Sequence, residues 1–185
     1  MNRAPKALAP ALRACARCGV RPAPCFLTVN IARQTAALFR WRSGRYAPVK
    51  TFRCSTSRFG IGETAGSNRT PRGLHRVAQK IGGGWPPGAV FKARRLIGYT
   101  WRGLPWALIT HRILWLEGLE PGFNCGGDVD SFRRCIYIHG TGNETTLGRP
   151  DSHGCIHLSA NDLLPLYDTL PQGTLVWLAA SDYHS

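Results

Sequence analysis

The residues best suited to chemistry lie near the end of the chain. A strand-like run ends in His139-Gly140, and after a loop a second turn, Ser152-His153-Gly154, presents Cys155. A nucleophilic thiol needs a nearby base and a backbone that lets the substrate approach. Gly154 supplies that freedom beside the sulfur, and the amides around it could act as an oxyanion hole. His139 and His153 are both candidate bases, so the segment is typical of a cysteine nucleophile.

Two other interpretations of the same residues stay open. On a strand, His153, Cys155 and His157 would share one face, and together with His139 they have the ligand types of a tetrahedral zinc site. Alternatively, Cys155 is a buried structural thiol and the histidines are ordinary polar residues, because free cysteine is among the most buried residue types. Residue types alone do not decide between these interpretations.

Short apolar and β-branched segments separated by turns must position these side chains. The strand-like segments are residues 26–31, 36–41, 49–54, 74–78, 108–116, 135–139 and 174–178. Glycine (21) and proline (13) are too frequent for long helices. A helix is predicted only over residues 159–170, where Ser159 or Asn161 can cap a stripe formed by Leu163, Leu166, Tyr167 and Leu170. The sequence therefore predicts a mainly β sandwich or barrel with one or two short helices.

The N-terminal segment has a different composition. Residues 1–25 are rich in Ala, Arg and Pro without hydrophobic periodicity, so we expect a disordered or poorly defined lead-in. Their short apolar run, residues 7–12, is followed at once by Arg13 and Arg17, which is a poor match to a secretory signal peptide. No stretch approaches about 18 uncharged apolar residues, so no transmembrane segment is predicted. A single domain is expected over residues 26–180.

Charge is distributed unevenly along the chain. Residues 1–112 contain 21 basic and 1 acidic side chains, whereas residues 113–185 contain 3 basic and 9 acidic ones. This asymmetry indicates an anionic partner such as nucleic acid, a membrane surface or an acidic polymer, although 20 of the 24 basic residues are Arg and a compositional bias also explains the excess. Aromatic residues among the basic ones make a nucleic-acid-binding module a second hypothesis, and the same aromatics suit core positions: Phe39, Trp41, Tyr46 and Phe52.

The segment that contains His139 and Cys155 resembles the active-site signature of the L,D-transpeptidase catalytic domain family, bacterial enzymes that act on peptidoglycan stem peptides. That signature is His-Gly, a loop, then Ser/Thr-His-Gly-Cys, a hydrophobic residue, and Arg or Asn. His139-Gly140 and residues 152–156 fit it, while His157 stands at the Arg/Asn position. Thr70-Pro71-Arg72-Gly73 looks like the family's Thr-Pro-x-Gly turn, and residues 26–39, 161–167 and 173–176 resemble other family segments, so the resemblance covers about residues 26–178.

The resemblance implies an L,D-transpeptidase-like β-sandwich or barrel and a role for each residue of the segment. Cys155 would be the nucleophile, His139 the base and His153 a support for the thiolate and the turn. Gly140 would orient the His139 ring, and Ser152, Gly154 and His157 would serve the oxyanion turn or the substrate. A histidine at position 157 is shorter than Arg and titratable, which bears on substrate affinity and pH dependence.

The implied reaction is acyl transfer. Cys155 would attack the third residue of a stem tetrapeptide, a diaminopimelate in many bacteria, expel D-alanine, and pass the acyl group to an amine to form a 3→3 cross-link. Water in place of the amine would make the protein an L,D-carboxypeptidase. The resemblance implies no metal or organic cofactor and no nucleic-acid partner. It implies a periplasmic or cell-envelope location and a role in peptidoglycan biosynthesis and cell shape. The excess of basic residues, in such a location, favours weak association with anionic envelope polymers.

Overall fold

A computed structural model describes residues 5–181 of the chain, and within these residues ten strands form one mixed sheet. The strands are β1 (Cys25–Asn30), β2 (Thr35–Arg42), β3 (Arg45–Arg53), β4 (Gly73–Ile81), β5 (Ala89–Lys92), β6 (Arg95–Tyr99), β7 (Thr110–Gly118), β8 (Tyr137–Gly140), β9 (Ile156–Leu158) and β10 (Leu175–Ala179). Their order is β3-β2-β1-β10-β4-β7-β5-β6, with β8 also paired to β7 and β9 paired to β8. The β1–β10 and β8–β9 pairs are parallel, and the other pairs are antiparallel.

The predicted mainly β fold class is confirmed. Each strand-like segment of the sequence overlaps an observed strand, while β5, β6 and β9 were not predicted. The predicted helix is α2 (Ala160–Thr169), and its N-cap is Ser159, whose hydroxyl accepts a hydrogen bond from the Asp162 backbone N–H at 3.2 Å. Leu163, Leu166 and Tyr167 are buried, which agrees with the predicted apolar stripe.

The expectation of a disordered lead-in is wrong for residues 5–25, and residues 1–4 lie outside the described part of the chain. A helix, α1 (Ala9–Arg17), follows a short 3₁₀ turn and buries Leu8, Ala11, Ala14 and Cys15. Alanine has the highest helix propensity, and Pro10 is tolerated because it lies in the first turn. Residues of the predicted lead-in therefore form a helix whose small side chains allow close packing on the sheet.

The two helices cover opposite faces of the central strands. Alternate side chains of a strand point to opposite faces. On β1, Phe26 packs in the cluster that contains Leu8 and Ala11 of the N-terminal segment, whereas Leu27 and Val29 pack in the main core with α2. A strand covered on both sides reads as a continuous apolar run, which explains the Phe-Leu-Thr-Val sequence of β1.

Three of the four aromatic residues considered for nucleic-acid stacking are core residues. Phe39, Tyr46 and Phe52 are buried, and the Tyr46 hydroxyl donates a hydrogen bond to the Ala23 carbonyl at 2.6 Å. Trp41 remains half exposed and packs edge-to-face on Tyr46. Most of the aromatic residues among the basic ones are therefore explained by packing.

Candidate active site

Strands β8 and β9 place the candidate catalytic residues on one face of the sheet. The two strands are parallel, with His139 opposite His157. Cys155 directly precedes β9 and therefore lies level with Tyr137, one position before the Ile138–Ile156 pair. Because side chains alternate along a strand, Cys155 and His157 share the face of His139, while Ile138 and Ile156 point into the main core.

Gly140 lets β8 approach β7 closely beside His139. A Cβ atom at this position would lie 2.5 Å from His111 Cδ2 and 2.7 Å from Thr110 Oγ1, distances that real Cβ atoms do not reach. The close approach leaves the Gly140 carbonyl 2.8 Å from Nδ1 of His139. The packing of β8 against β7 therefore requires a glycine at position 140, where the family signature also has one.

Buried hydroxyl groups hold the turn that carries Cys155. Ser152 Oγ donates to the Cys155 carbonyl at 2.6 Å and accepts from the Gly154 N–H at 3.2 Å. Thr70, from the Thr-Pro-x-Gly segment, donates to the Gly154 carbonyl at 3.0 Å. Gly154 has a φ of +118°, a conformation that side chains rarely adopt. The turn is therefore fixed from both ends before any substrate binds.

His139 is a neutral imidazole in this environment. The ring is 2% exposed, and burial lowers its pKa to about 3, with the nearby His157 acting in the same direction. Because the Gly140 carbonyl can only accept, Nδ1 of His139 carries the proton and Nε2 holds a lone pair. An imidazole held in this tautomer can accept a proton through Nε2 at neutral pH.

The Cys155 thiol is also neutral in the resting protein. Desolvation raises its pKa to about 12, while the Tyr137 backbone N–H opposes the increase. Its sulfur lies 3.4 Å from the Cys135 carbonyl, to which the thiol donates. The pair of Cys155 and His139 therefore rests as thiol and imidazole, and a proton must move when the sulfur becomes a nucleophile.

His157 occupies the position where the family signature carries Arg or Asn. Its ring centroid lies 4.7 Å from that of His139, and its buried Nδ1 has no hydrogen-bond partner among the described residues. Burial lowers the pKa of His157 to about 4, and the nearby His153 acts in the same direction. The residue thus contributes a neutral ring at neutral pH.

His153 is oriented by a residue from the loop after β3. Its Nε2 lies 2.8 Å from Nη2 of Arg58, and its ring packs on Phe59 with centroids 5.5 Å apart. A guanidinium group has donors and no acceptor, so Nε2 of His153 accepts the hydrogen bond in this contact. Because this nitrogen is occupied, the geometry favours His139 over His153 as the base.

The three histidines and Cys155 line one cavity of about 360 Å³. Gly140, Ser152 and Gly154 are buried behind it and shape the backbone. Other lining residues were not predicted, and those before residue 110 come from segments distant in sequence: Arg58, Trp106, Leu108, Ile109, Thr141, Asn143 and Asp151. The contact that brings Arg58 here is a bridge between Ser57 and Ser152, which no local sequence pattern indicates.

The arrangement gives the zinc hypothesis no support. Within residues 5–181, no group of three or more His, Cys, Asp or Glu side chains is placed to hold a metal ion. His153 faces Arg58, and a cation there disfavours a metal ion at the same nitrogen. All seven cysteines are free thiols, and all lie within the described residues.

Comparison with known proteins agrees with this geometry. Residues 25–178 match the YkuD family, described as the L,D-transpeptidase catalytic domain. The fold is similar to Bd1075 from Bdellovibrio bacteriovorus, with a TM-score of 0.57 and 11% identity over 87% of this chain and 49% of that protein. It is also similar to an L,D-transpeptidase from Mycobacterium smegmatis, with a TM-score of 0.52 and 19% identity over 85% of this chain and 59% of that protein.

A third similar structure is L,D-transpeptidase 3 from Mycobacterium tuberculosis in complex with a faropenem-derived adduct. The TM-score is 0.51 and the identity 15%, over 84% of this chain and 60% of that protein. The chain thus spans about half to three fifths of the length of these proteins. No curated protein sequence matches it.

Proposed function

Because the chain belongs to the L,D-transpeptidase catalytic domain family, we propose that it is a cysteine acyltransferase acting on peptidoglycan stem peptides. The observation that carries the proposal is that Cys155 and His139 line the same cavity. His139 has its Nδ1 proton bound by the Gly140 carbonyl, which leaves Nε2 to accept the thiol proton. The roles of nucleophile and base follow from this tautomer and from the position of Cys155 at the start of β9.

In the first step, the Cys155 sulfur attacks the carbonyl carbon of the third residue of a stem tetrapeptide while the thiol proton passes to Nε2 of His139. The carbon–nitrogen bond to D-alanine then breaks, and His139 returns the proton to the leaving amine. This leaves a thioester between Cys155 and the peptide. The two neutral groups of the resting site exchange one proton, so no net charge needs to enter the buried pocket.

In the second step, an amine of a neighbouring stem attacks the thioester. The new amide bond is the 3→3 cross-link, and the Cys155 thiol is released. His139 accepts the amine proton in this step and returns a proton to the sulfur. Attack by water would instead release a tripeptide, the reaction of an L,D-carboxypeptidase. Backbone amides of the turn would stabilise the oxyanion, and the Cys155 N–H is the favoured donor because the Gly154 N–H is engaged by Ser152.

In this proposal the remaining predicted site residues position the catalytic turn and the His139 ring. Ser152 and Gly154 fix the turn, and Gly140 orients the His139 ring. His153 supports the turn through its contacts with Arg58 and Phe59. His157 supplies a neutral wall beside His139. In this assignment two residues, Cys155 and His139, exchange protons, and the other five hold these two in position.

We propose a location in the periplasm or cell envelope, in line with the family's substrate. Within residues 5–181, neither helix is long and apolar enough to cross a membrane. The basic first part of the chain would favour weak contact with anionic envelope polymers, and such contact should weaken as salt screens the charges. Peptidoglycan remains the substrate, because the charge excess lies largely outside the catalytic segment.

The proposal is tested by incubating the protein with a disaccharide tetrapeptide and identifying the products by mass spectrometry. A cross-linked dimer that lacks one D-alanine supports transfer, and a disaccharide tripeptide supports hydrolysis. Unchanged substrate would contradict both activities. Cys155→Ala should abolish either product, whereas Cys18→Ala, which removes a partly exposed thiol near the end of α1, should retain activity.

A further inference from the structure

Arg58 brings a permanent positive charge into the wall of the catalytic cavity. It follows β3 in the chain, and its backbone N–H donates to the Ser152 carbonyl at 3.1 Å. The residue is therefore attached to the same turn that carries Cys155. Its side chain lines the cavity together with Cys155 and His139.

A histidine and an aromatic ring contact the Arg58 side chain without forming an ion pair with it. Nη2 donates to Nε2 of His153 at 2.8 Å, and the guanidinium carbon lies 5.1 Å from the centre of the Phe59 ring. Within residues 5–181, none of the ion pairs involves Arg58. Asp151, an acid in the same cavity wall, takes part in none of these ion pairs either. The other guanidinium donors therefore remain available to a ligand.

Arg58 is the only Lys or Arg side chain among the described residues that line this cavity. His139 and His157 are neutral at pH 7 because burial lowers the pKa of each ring, to about 3 and about 4. The Nε2 atom of His153 is occupied, because it accepts a hydrogen bond from Arg58. A guanidinium group held by this contact, with unused donors, matches the planar, two-oxygen geometry of a carboxylate.

We infer that Arg58 binds a carboxylate of the donor stem peptide and so holds the donor in the cavity that contains Cys155. The inference rests on the proposed function for the identity of the peptide. Two carboxylates of a tetrapeptide donor fit this chemistry: the terminal carboxylate of D-alanine and the side-chain carboxylate of a diaminopimelate at the third residue. Both would form the same charge-assisted hydrogen bonds.

A second cation near the sulfur does not fit this role. Arg134 lies close enough to lower the pKa of Cys155, yet both of its terminal nitrogens donate to backbone carbonyls, those of Glu63 and Arg69. These bonds tie two loop segments together. Arg134 therefore adds a constant electrostatic background at Cys155 and leaves few donors for a ligand.

A pair of alkylating reagents tests the carboxylate site without any turnover. Iodoacetate and iodoacetamide have nearly the same shape, but only iodoacetate is an anion. We expect Arg58→Gln to lower the ratio of the iodoacetate to the iodoacetamide rate at Cys155 by about tenfold. The ratio cancels any change in the thiol itself, including one caused by loss of the contact with His153. Arg133→Gln removes an exposed charge from a neighbouring cavity and should leave the ratio within about twofold.

Three donor peptides then distinguish the two carboxylates: the parent tetrapeptide, a form amidated on the third-residue side chain, and a form ending in D-alaninamide. In the wild type, amidation of the bound carboxylate should raise KM about tenfold with little change in kcat. The same amidation should have no further effect in Arg58→Gln, and Arg58→Lys should restore part of the affinity.

An unchanged alkylation ratio in Arg58→Gln would overturn the inference, as would equal KM increases for amidated donors in wild type and variant. A wild-type protein that turns over no donor would contradict the proposed function alone. In that case the alkylation ratio still decides whether Arg58 attracts a carboxylate.

Discussion

The resting charge state of Cys155 leads to a prediction about its reactivity with pH. Desolvation raises the pKa of the thiol to about 12, and burial lowers that of His139 to about 3. Both groups are therefore neutral between these values. A thiolate–imidazolium pair would instead give a reactive sulfur at neutral pH. The pH dependence of alkylation separates the two states.

The magnitude follows from the thiol pKa. At pH 7, a cysteine with the ordinary pKa of 9.0 is ionised in about one molecule in 10², whereas a pKa of about 12 reduces this to about one in 10⁵. The more basic thiolate is a better nucleophile, which recovers about 16- to 32-fold of that thousandfold loss. Alkylation of Cys155 by iodoacetamide should therefore be about 30- to 60-fold slower than that of an unstructured peptide containing residues 150–160.

The assay measures iodoacetamide incorporation into the Cys155 peptide by mass spectrometry between pH 6 and 9.5, because the chain has seven cysteines. The logarithm of the rate should rise by about one for each pH unit, with no plateau. Circular dichroism over the same range serves as the control for folding. A rate that levels off below pH 8, or a protein rate above that of the peptide, would show that Cys155 and His139 do not rest as neutral thiol and imidazole.

Two further predictions concern the base and the N-terminal helix. His139→Ala should reduce the rate of D-alanine release from a tetrapeptide by about 10²- to 10⁴-fold, because it removes the ring assigned to take the thiol proton, and a loss below about threefold would contradict its assignment as the base. Leu8→Ala should lower the free energy of unfolding by about 2–5 kcal/mol in urea denaturation, because Leu8 is fully buried, whereas the exposed Arg13→Ala should change it by less than about 0.5 kcal/mol. A Leu8→Ala effect as small as that of Arg13→Ala would mean that the N-terminal segment does not pack on the sheet.

Strand periodicity and capping predicted most of the fold because they are local properties. The β1 segment is apolar on both faces, and Ser159 begins α2 as a side-chain cap. The hairpin of β5 and β6 was missed because Ala93 and Arg94 connect it with φ values of +48° and +67°. Tight hairpin turns of this kind usually contain Asn or Gly, so the sequence lacks the usual turn signal.

Helix α1 was missed because its buried side is built from small residues. Alanines and one cysteine replace the leucine stripe that indicates an amphipathic helix, and the helix is recognisable only once the opposing side chains of Phe26 and Leu175 are in place. Tertiary packing thus supplies the stability that the pattern does not indicate.

In the candidate site, too, local motifs predicted some residues, whereas others depend on tertiary contacts. Cys155 and His139 could be predicted because each lies in a short glycine-containing motif. Arg58 could not, since its approach to His153 depends on a bridge between the loop after β3 and the catalytic turn, about a hundred residues later in the chain. The neutral state of His139 and His157 likewise depends on burial by segments that are distant in sequence.

Intact-protein mass spectrometry of a single turnover tests directly whether Cys155 forms a thioester with the donor peptide. Excess protein is mixed with a tetrapeptide donor that carries no acceptor amine, and released D-alanine is measured in the same sample. We expect a mass increase equal to the donor minus D-alanine, located on the Cys155 peptide, sensitive to hydroxylamine and absent in Cys155→Ala. Release of D-alanine by Cys155→Ala at the wild-type rate, or an acyl group on another residue, would contradict it.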